Sequence, residues 1–389
     1  MARSTSPVPL HTIVKPLAKA APAVSVIVPA YGVRATLREA VDSLLRQTFR
    51  NLEVVVIDDA CPDHCTEVLA GIDDARLGIF RLQHNAGLVG ARNAGLALSS
   101  APFVALLDGD DVSDPNRIAR QLAAFEGRPD LGLVGCLFNR IDLQGRIVIR
   151  GTDDWGLDDE ALKPLMLFAN PFPAVVHMVR RSAIPEGGFR PIYAEDYAMA
   201  ADVASHHGVT LVREPLVGYR VSPDGIMHTK LDQVSHDALL TQRRLLEEVG
   251  MSAHRCDPSL MAALMQFGAQ PPGGLSFERM VALRQWMQDV EQANARSGRY
   301  PADALARAMA RAWELVLVHA TKLERMRFGR RYVVELLSYR AAQGRLHVRA
   351  RALAHAVLNT FRRPQAGTPS TAADDRSSPE MRDVDVLEA

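Results

Sequence analysis

Residues 24–59 read VSVIVPAYGVRATLREAVDSLLRQTFRNLEVVVIDD, a stretch in which a helical pattern joins two apolar runs. The runs at 24–30 and 52–58 are rich in β-branched residues and are typical of buried strands. Between them, residues 33–48 carry apolar side chains at helical spacing. A strand, a helix and a second strand in this order predict a βαβ unit with parallel strands.

The alternation of strands and helices continues to about residue 130. A short helix is predicted at 64–72, a third strand at 76–82 and a helix of small residues at 88–99. A fourth strand is predicted at 103–108, and another helix at 115–127. The predicted fold class is therefore α/β, with a mostly parallel sheet flanked by helices on both faces.

The pattern changes after this point. GLVGCLFNRID and RIVIRG predict a hairpin-like pair of strands. A strand entered from a proline-rich turn is expected at 170–184, a loop leading into a helix at 187–208, and a strand with a return at 209–222. Residues 231–363 have a helical pattern with a Pro/Gly break at 270–274.

These patterns divide the chain into four segments. We expect a flexible lead at 1–22, an α/β domain at 23–230, an all-helical C-terminal region at 231–363 and a disordered tail at 364–389. The tail is rich in Pro, Ser, Thr, Asp and Ala and has few apolar side chains to bury, which is why disorder is expected there.

Composition excludes several classes of function. The 45 basic and 45 acidic residues balance, so no global field favours nucleic acid as a partner. The four cysteines are too few and too scattered for a disulfide framework, which indicates a reducing cytoplasmic setting. No apolar stretch reaches the roughly 20 residues of a membrane span, and prolines interrupt the N-terminal segment that a signal peptide would need.

Three predicted strands end in polar clusters: PAYG (29–32), DDACPD (58–63) and DGDD (108–111). Ligands of open α/β sheets bind in the crevice outside the carboxyl ends of the strands. Because all three clusters stand at such ends, we expect them to converge on one crevice.

The densest negative charge lies between Asp108 and Asp114, directly after the fourth predicted strand. Two explanations are open: the stretch is a solvated turn with a helix cap, or a cation neutralises it. Asp114 is expected to be the cap, which leaves three aspartates unexplained. Hard cations such as Mg²⁺ and Mn²⁺ prefer carboxylate oxygens, and Gly109 permits the sharp turn that would present Asp108 and Asp110 together.

Further candidates each have a structural alternative. Asp59 is placed to accept hydrogen bonds from a nucleobase or ribose, while Asp58 supports an Asx-type turn. Arg92, on a small-residue helix, offers a fixed cationic fork. Glu195 and Asp196 stand at a predicted helix start, where they are either stabilising N-terminal charges or include a general base.

Taken together, the motifs resemble those of a known family. VSVIVPAYG, VVVIDDACPD, NAGLVGARNAGL, ALLDGDD and GGFRPIYAEDYAMA, followed by REPLVGYRVS, have the order and spacing found in the inverting GT-A glycosyltransferases of family 2. The resemblance covers roughly residues 24–225 and rests on the agreement of five motifs in sequence order.

The resemblance implies a GT-A, Rossmann-like sheet, a nucleotide-diphosphate-sugar donor, with UDP-sugar expected, and Mn²⁺ or Mg²⁺ as the cofactor. The residues it implies as donor contacts are Pro29, Tyr31, Asp59, Arg92 and Asp108. The residues it implies as metal ligands are Asp108 and Asp110. His228 is either a late metal ligand or a surface histidine.

The resemblance also implies the reaction. Asp196 would be the catalytic base of the ED motif, with Glu195 beside it, and the mechanism would be a single in-line displacement that inverts the anomeric centre. Two departures concern the acceptor side. Ala174 occupies the place of a histidine that is frequent in the family, and the helix after the ED motif lacks the usual tryptophan. His177 is expected to face the core.

The family does not account for the C-terminal region. Between residues 307 and 363 basic residues greatly outnumber acidic ones. This surface is either the solvated face of a helical bundle or a peripheral contact with the anionic inner face of the plasma membrane, where a saccharide or lipid-linked acceptor would be found. Two functions are therefore compared: an active sugar transferase of surface polysaccharide or glycoconjugate synthesis, and a non-catalytic sugar-nucleotide-binding or scaffold protein acting through its basic helices.

Overall fold

A ten-stranded mixed sheet is the centre of the computed structural model, which describes residues 10–17, 21–152, 154–223, 225–252, 255–256 and 277–319. Its strands are β1 (Leu10–Lys15), β2 (Val24–Ala30), β3 (Leu52–Asp58), β4 (Leu77–Leu82), β5 (Phe103–Leu106), β6 (Val112–Ser113), β7 (Leu131–Ile141), β8 (Ile147–Thr152), β9 (Met178–Arg180) and β10 (Gly208–Arg220). The strand order is β1-β4-β3-β2-β5-β9-β7-β10-β6, and β8 pairs with β7.

Nine α-helices lie in these described ranges. They are α1 (Leu37–Leu45), α2 (Gly87–Leu98), α3 (Arg117–Ala123), α4 (Asp159–Leu165), α5 (Glu195–His206), α6 (Ile226–Thr229), α7 (Leu231–Val249), α8 (Phe277–Ser297) and α9 (Ala302–His319). None of the described helices is long and apolar enough to cross a membrane.

The parallel half of the sheet confirms the prediction from the apolar runs. β4, β3, β2 and β5 are parallel neighbours, and the register of β2 on β3 runs from Val24 opposite Leu52 to Ala30 opposite Asp58. Every residue of β2 and β3 is buried, as expected of strands covered by helices on both faces. The helix predicted at 64–72 is instead a 3₁₀ helix of five residues, Cys65–Leu69, and His64 before it has a left-handed backbone conformation.

The prediction of a flexible lead at 1–22 is wrong for residues 10–15. This segment forms β1, which pairs antiparallel with β4 from Leu10 opposite Leu82 to Lys15 opposite Ile79. The Lys15 Nζ also donates to the carbonyl of Ile72 at 2.6 Å. The short apolar sequence LHTIVK covers an edge of the parallel sheet that would otherwise present unpaired backbone groups.

The second half of the sheet contains the predicted hairpin, formed by β7 and β8. β9 is antiparallel to both β5 and β7 and joins the two halves. The strand and return expected at 209–222 are one long strand, β10, whose pairing with β7 shifts register on either side of Pro215. Proline has no N–H for the ladder, which explains the irregularity at this point.

Helices α7, α8 and α9 belong to the same compact unit as the sheet, Met1–Glu324. The amide of Gln242 on α7 donates to the carbonyl of Leu167 at 2.5 Å, and the rings of Phe168 and Trp286 lie 6.2 Å apart. The last part of the helical region predicted at 231–363, from residue 320 on, and the tail predicted at 364–389 lie outside the described residues.

Candidate active site

The carboxyl ends of β2, β3 and β5 lie side by side because the three strands are parallel neighbours. The loop with Tyr31 follows β2, Asp59 follows β3 and the Asp108–Asp111 turn follows β5. The three polar clusters therefore meet at one edge of the sheet, as the sequence predicted.

The Asp108–Asp111 turn is pressed against the loop between β2 and α1. The backbone N–H of Asp111 donates to the carbonyl of Asp108 at 3.1 Å, and the Thr36 hydroxyl donates to the carbonyl of Gly109 at 3.0 Å. A Cβ atom at Gly109 would lie 3.0 Å from the carbonyl oxygen of Pro29. A glycine is thus required here by close approach of the two loops.

The turn carries more negative charge than its protein surroundings compensate. Burial, and then the charge of Asp108, raise the pKa of Asp110 to about 6. Burial and the neighbouring aspartates also raise the pKa of Asp111 well above its usual value. Asp111 Oδ1 accepts from the backbone N–H of Arg220 at 2.7 Å, whereas its Oδ2 is buried without a partner among the described residues.

Arg220, which the sequence analysis missed, connects the Asp108–Asp111 turn to neighbouring segments by hydrogen bonds. Its buried guanidinium donates from Nε to the carbonyl of Asp110 at 2.6 Å and from one terminal nitrogen to Glu39 at 2.8 Å. The other terminal nitrogen donates to the carbonyls of Asp142 and Leu143, each at 3.0 Å. The only sequence signal was its place at the end of the REPLVGYRVS motif.

Arg92 lies between the two acidic motifs. One terminal nitrogen of its side chain pairs with Asp108 Oδ1 at 2.7 Å and the other pairs with Glu195 Oε1. Burial alone would lower the pKa of Arg92, but the two carboxylates outweigh it and raise that pKa above its usual value. Only 1% of the Arg92 side chain is exposed, and its two terminal nitrogens bind protein carboxylates. A contact between Arg92 and a nucleotide stays a prediction.

The acidic pair predicted at a helix start forms the first turn of α5. Burial raises the pKa of Glu195 to about 7, although Arg92 acts in the opposite direction. Asp196 Oδ2 accepts from the backbone N–H of Ala174 at 3.1 Å, and Oδ1 accepts from that of Tyr197 at 2.6 Å. Burial also raises the pKa of Asp196, since these hydrogen bonds and Arg92 only partly offset the loss of water.

Asp58 and Asp59 have different partners, and Asp58 supports the turn after β3 as the sequence predicted. Asp58 Oδ1 accepts from the N–H of Cys61 at 2.8 Å and therefore shapes the turn after β3. Asp59 Oδ1 accepts from the N–H of Ala86 at 2.6 Å, next to the first residue of α2, and burial raises its pKa. Tyr31 is exposed at the rim of the same crevice.

Among the other predicted residues, Asp114 and His177 each have a hydrogen-bond partner in the structure. Asp114 accepts from the N–H of Asn116 at 2.8 Å, so it caps the turn before α3 rather than the helix itself. His177 is buried, as expected, and its Nε2 lies 2.7 Å from the carbonyl oxygen of Phe172. The side chain of His228 lies outside the described part of the structure, so its metal role stays a prediction.

A cavity of about 670 Å³ lies beside Glu195. Its walls are residues 86–89 at the start of α2, residues 191–193 before α5, and a polar side of α7 with Asp232, Gln233, His236 and Asp237. Asp237 also accepts from the N–H of Tyr193 at 2.7 Å, which ties α7 to the loop before α5. Sequence analysis identified no functional residue on α7, because its pattern is that of an ordinary amphipathic helix.

Comparison with known proteins identifies the family of the domain. Residues 25–172 match the family model described as "Glycosyl transferase family 2". An uncharacterized glycosyltransferase from Haemophilus influenzae (strain ATCC 51907 / DSM 11121 / KW20 / Rd) is 30% identical over 183 residues, which are 46% of this chain and 71% of that protein. The Escherichia coli protein "UDP-Glc:alpha-D-GlcNAc-diphosphoundecaprenol beta-1,3-glucosyltransferase WfaP" is 26% identical over 233 residues, 59% of this chain and 88% of its own length.

Solved structures confirm the fold. S. aureus TarS 1-349 in complex with UDP-GlcNAc is similar with a TM-score of 0.50 and 17% identity, covering 76% of this chain and 88% of that one. The mannosyltransferase PcManGT from Pyrobaculum calidifontis, in complex with GDP-Man and Mn2+, has a TM-score of 0.50 and 20% identity, covering 86% and 89%. Both similarities concern the fold, and they agree with the mostly parallel sheet flanked by helices that the sequence predicted.

Proposed function

The chain belongs to glycosyltransferase family 2 and is a glycosyltransferase, and we propose that it moves a sugar from a nucleotide-diphosphate sugar to an acceptor hydroxyl with inversion. The observation that carries this proposal is the Asp108–Arg92–Glu195 arrangement, in which one buried cation joins the DGDD turn to the ED pair. Arg92 and Glu195, which lie 103 residues apart in sequence, are thereby held at one site.

The donor nucleotide would lie across the carboxyl ends of β2 and β3. Tyr31 is exposed there and offers a ring for stacking on the base, with Pro29 at the end of the strand beneath it. Asp59 has a second carboxylate oxygen for the base or ribose. UDP is the favoured nucleotide, because UDP-GlcNAc and UDP-glucose occur in the names of the similar TarS structure and of the E. coli relative.

The DGDD turn fits a divalent metal by the chemistry of its donors. Its side-chain ligand atoms are all carboxylate oxygens, and Asp111 Oδ2 is buried without a partner among the described residues. Burial and the charge of Asp108 raise the pKa of Asp110, an effect that a bound cation would oppose. Asp108 and Asp110 would hold Mn²⁺ or Mg²⁺. When bound, such a cation neutralises negative charge on a departing diphosphate.

Asp196 would act as the base. A carboxylate with a raised pKa is a better proton acceptor, and Asp196 is held in a fixed orientation by the amides of Ala174 and Tyr197. It would take the proton of the acceptor hydroxyl as that oxygen attacks the anomeric carbon from the side opposite the nucleotide. Glu195 would keep Arg92 in place and border the cavity that receives the sugar rings.

The acceptor would be a saccharide, either free or carried on a lipid, and the reaction would belong to surface polysaccharide or glycoconjugate synthesis. The E. coli relative is named for a diphosphoundecaprenol-linked acceptor, and another relative is named "Succinoglycan biosynthesis protein ExoO". We place the enzyme on the cytoplasmic side of the plasma membrane, where such acceptors meet nucleotide sugars.

Isothermal titration of UDP, GDP, TDP and CMP, with Mn²⁺ and with EDTA, tests the donor site. We expect one nucleotide to bind in a metal-dependent manner to wild type and to lose most of its affinity in Asp110→Ala. Asp73→Ala is the control, since Asp73 is exposed before the amino-terminal end of β4, away from the crevice. Failure of every nucleotide to bind wild type would remove the donor-site proposal.

A further inference from the structure

The β7–β8 hairpin exposes an unusual amount of apolar surface. Leu143 in its turn is 54% exposed, and Ile147, Val148 and Ile149 of β8 are 42%, 57% and 49% exposed. Among the described residues, β8 is hydrogen-bonded to β7 alone, so its outer edge also carries unpaired backbone groups. Large exposed apolar patches of this kind mark interaction surfaces.

This hairpin is joined directly to the candidate active site. The guanidinium of Arg220 donates to the carbonyls of Asp142 and Leu143 in the hairpin turn and to the carbonyl of Asp110 in the DGDD turn. One buried side chain therefore separates the exposed apolar patch from the proposed metal-binding turn. Whatever the hairpin contacts will lie next to the mouth of the crevice.

The charges beside this patch favour an anionic lipid surface over a second copy of β8 as its partner. Arg146 and Arg150 flank the three aliphatic residues; Arg146 pairs with Asp142, whereas Arg150 has no ion pair among the described residues. An antiparallel pair of two β8 strands centred on Val148 would set Arg146 of one copy against Arg150 of the other, which is repulsive. An anionic lipid surface accepts both arginines while the aliphatic side chains enter the headgroup region.

We propose that the β7–β8 hairpin docks on anionic lipid bilayers, with Leu143, Ile147, Val148 and Ile149 inserted at the interface and Arg146 and Arg150 on the headgroups. The purpose assigned to this contact rests on the proposed function: it holds the crevice against the surface from which a lipid-linked acceptor would extend. The surface is distinct from the basic helices at 307–363 that the sequence singled out.

Vesicle flotation tests the proposal on the full chain. Vesicles of phosphatidylcholine alone are compared with vesicles that also contain phosphatidylglycerol, for wild type, Ile147→Ser/Ile149→Ser and Arg146→Gln/Arg150→Gln. Wild type should float with the anionic vesicles, and each double variant should bind them about tenfold more weakly. Leu240→Ser/Val281→Ser is the matched control, because these two side chains are equally exposed on α7 and α8.

Two results would overturn the proposal: no binding of wild type to anionic vesicles, or equal binding of wild type and both hairpin variants, which would place the contact elsewhere in the chain. Circular dichroism melts check that the variants fold. Nucleotide titration without vesicles separates this test from that of the proposed function, since the hairpin variants should bind nucleotide as wild type does even if docking is lost.

Discussion

The proposed donor side and the proposed acceptor side of the crevice are built in different ways. On the proposed donor side, the Asp58 carboxylate accepts from the backbone N–H of Cys61, three residues on, and the backbone N–H of Asp111 donates to the carbonyl of Asp108. On the proposed acceptor side, Glu195 and the α7 wall come together through contacts between distant segments, such as Tyr193 with Asp237. Local turns shape the two motifs of the proposed donor side, although Arg220 also holds one of them from a distance, whereas the proposed acceptor side is assembled by long-range contacts.

The largest effect should come from removing the base. With the donor identified by titration, Asp196→Asn should lower the turnover rate about 1000-fold while nucleotide affinity is unchanged, because the amide keeps the size of the side chain and loses its basicity. Glu195→Gln should cost less, since its proposed role is to position Arg92. A turnover rate of Asp196→Asn within threefold of wild type would assign the base elsewhere, and Asp73→Asn serves as the control.

Arg220 joins the DGDD turn to the β7–β8 hairpin turn, and its substitution removes this link. Arg220→Met should lower the free energy of unfolding by about 3 kcal/mol, because it leaves three carbonyls and the carboxylate of Glu39 without their donor. Urea denaturation measures this change. Arg46→Met is the comparison, as Arg46 is an exposed arginine, and equal losses in both variants would show that the Arg220 contacts contribute little.

The buried imidazole of His177 should make the fold sensitive to acid. Burial lowers the pKa of His177 to about 4, with Arg92 and Arg117 acting in the same direction. The unfolded chain binds this proton near pH 6.5 and the folded chain only near pH 4, so stability is lost as the pH falls between these values. His177→Gln keeps a donor for the Phe172 carbonyl but cannot titrate.

At pH 4.5 this difference amounts to roughly 2 to 3 kcal/mol in the free energy of unfolding. Wild type should therefore lose more stability than His177→Gln between pH 7.5 and 4.5, as measured by urea denaturation at both values. Parallel pH profiles for the two proteins would mean that His177 does not carry the acid sensitivity.

The smallest effect is expected on α7, where it tests whether this helix contacts the acceptor. His236→Ala should raise the KM for the acceptor about fivefold, the usual cost of one hydrogen bond, with nucleotide affinity changed by less than twofold. Leu240→Ala, one turn further along the helix and exposed, should leave both unchanged. A loss of nucleotide affinity in His236→Ala alone would instead assign this wall to the donor.

The same contrast explains what could be predicted from sequence. The parallel strands followed from continuous Val and Ile runs, and the convergence of the acidic motifs followed from their place at strand ends. The arrangement of Arg92 could not be foreseen, since its partner Glu195 is 103 residues away, and Arg220 lies 110 residues from Asp110. β1 was missed because its strand forms by pairing with β4, which is far away in the sequence.

Electron paramagnetic resonance of Mn²⁺ tests the central claim, that the DGDD turn and a nucleotide diphosphate bind a divalent cation together. The nucleotide is the one that binds wild type in the titration. Added together with wild type, it should reduce the signal of free Mn²⁺ well beyond the reduction that the nucleotide causes without protein. Asp110→Ala should abolish this excess, and Asp73→Ala should retain it. An equal loss of signal with wild type and Asp110→Ala would contradict the account.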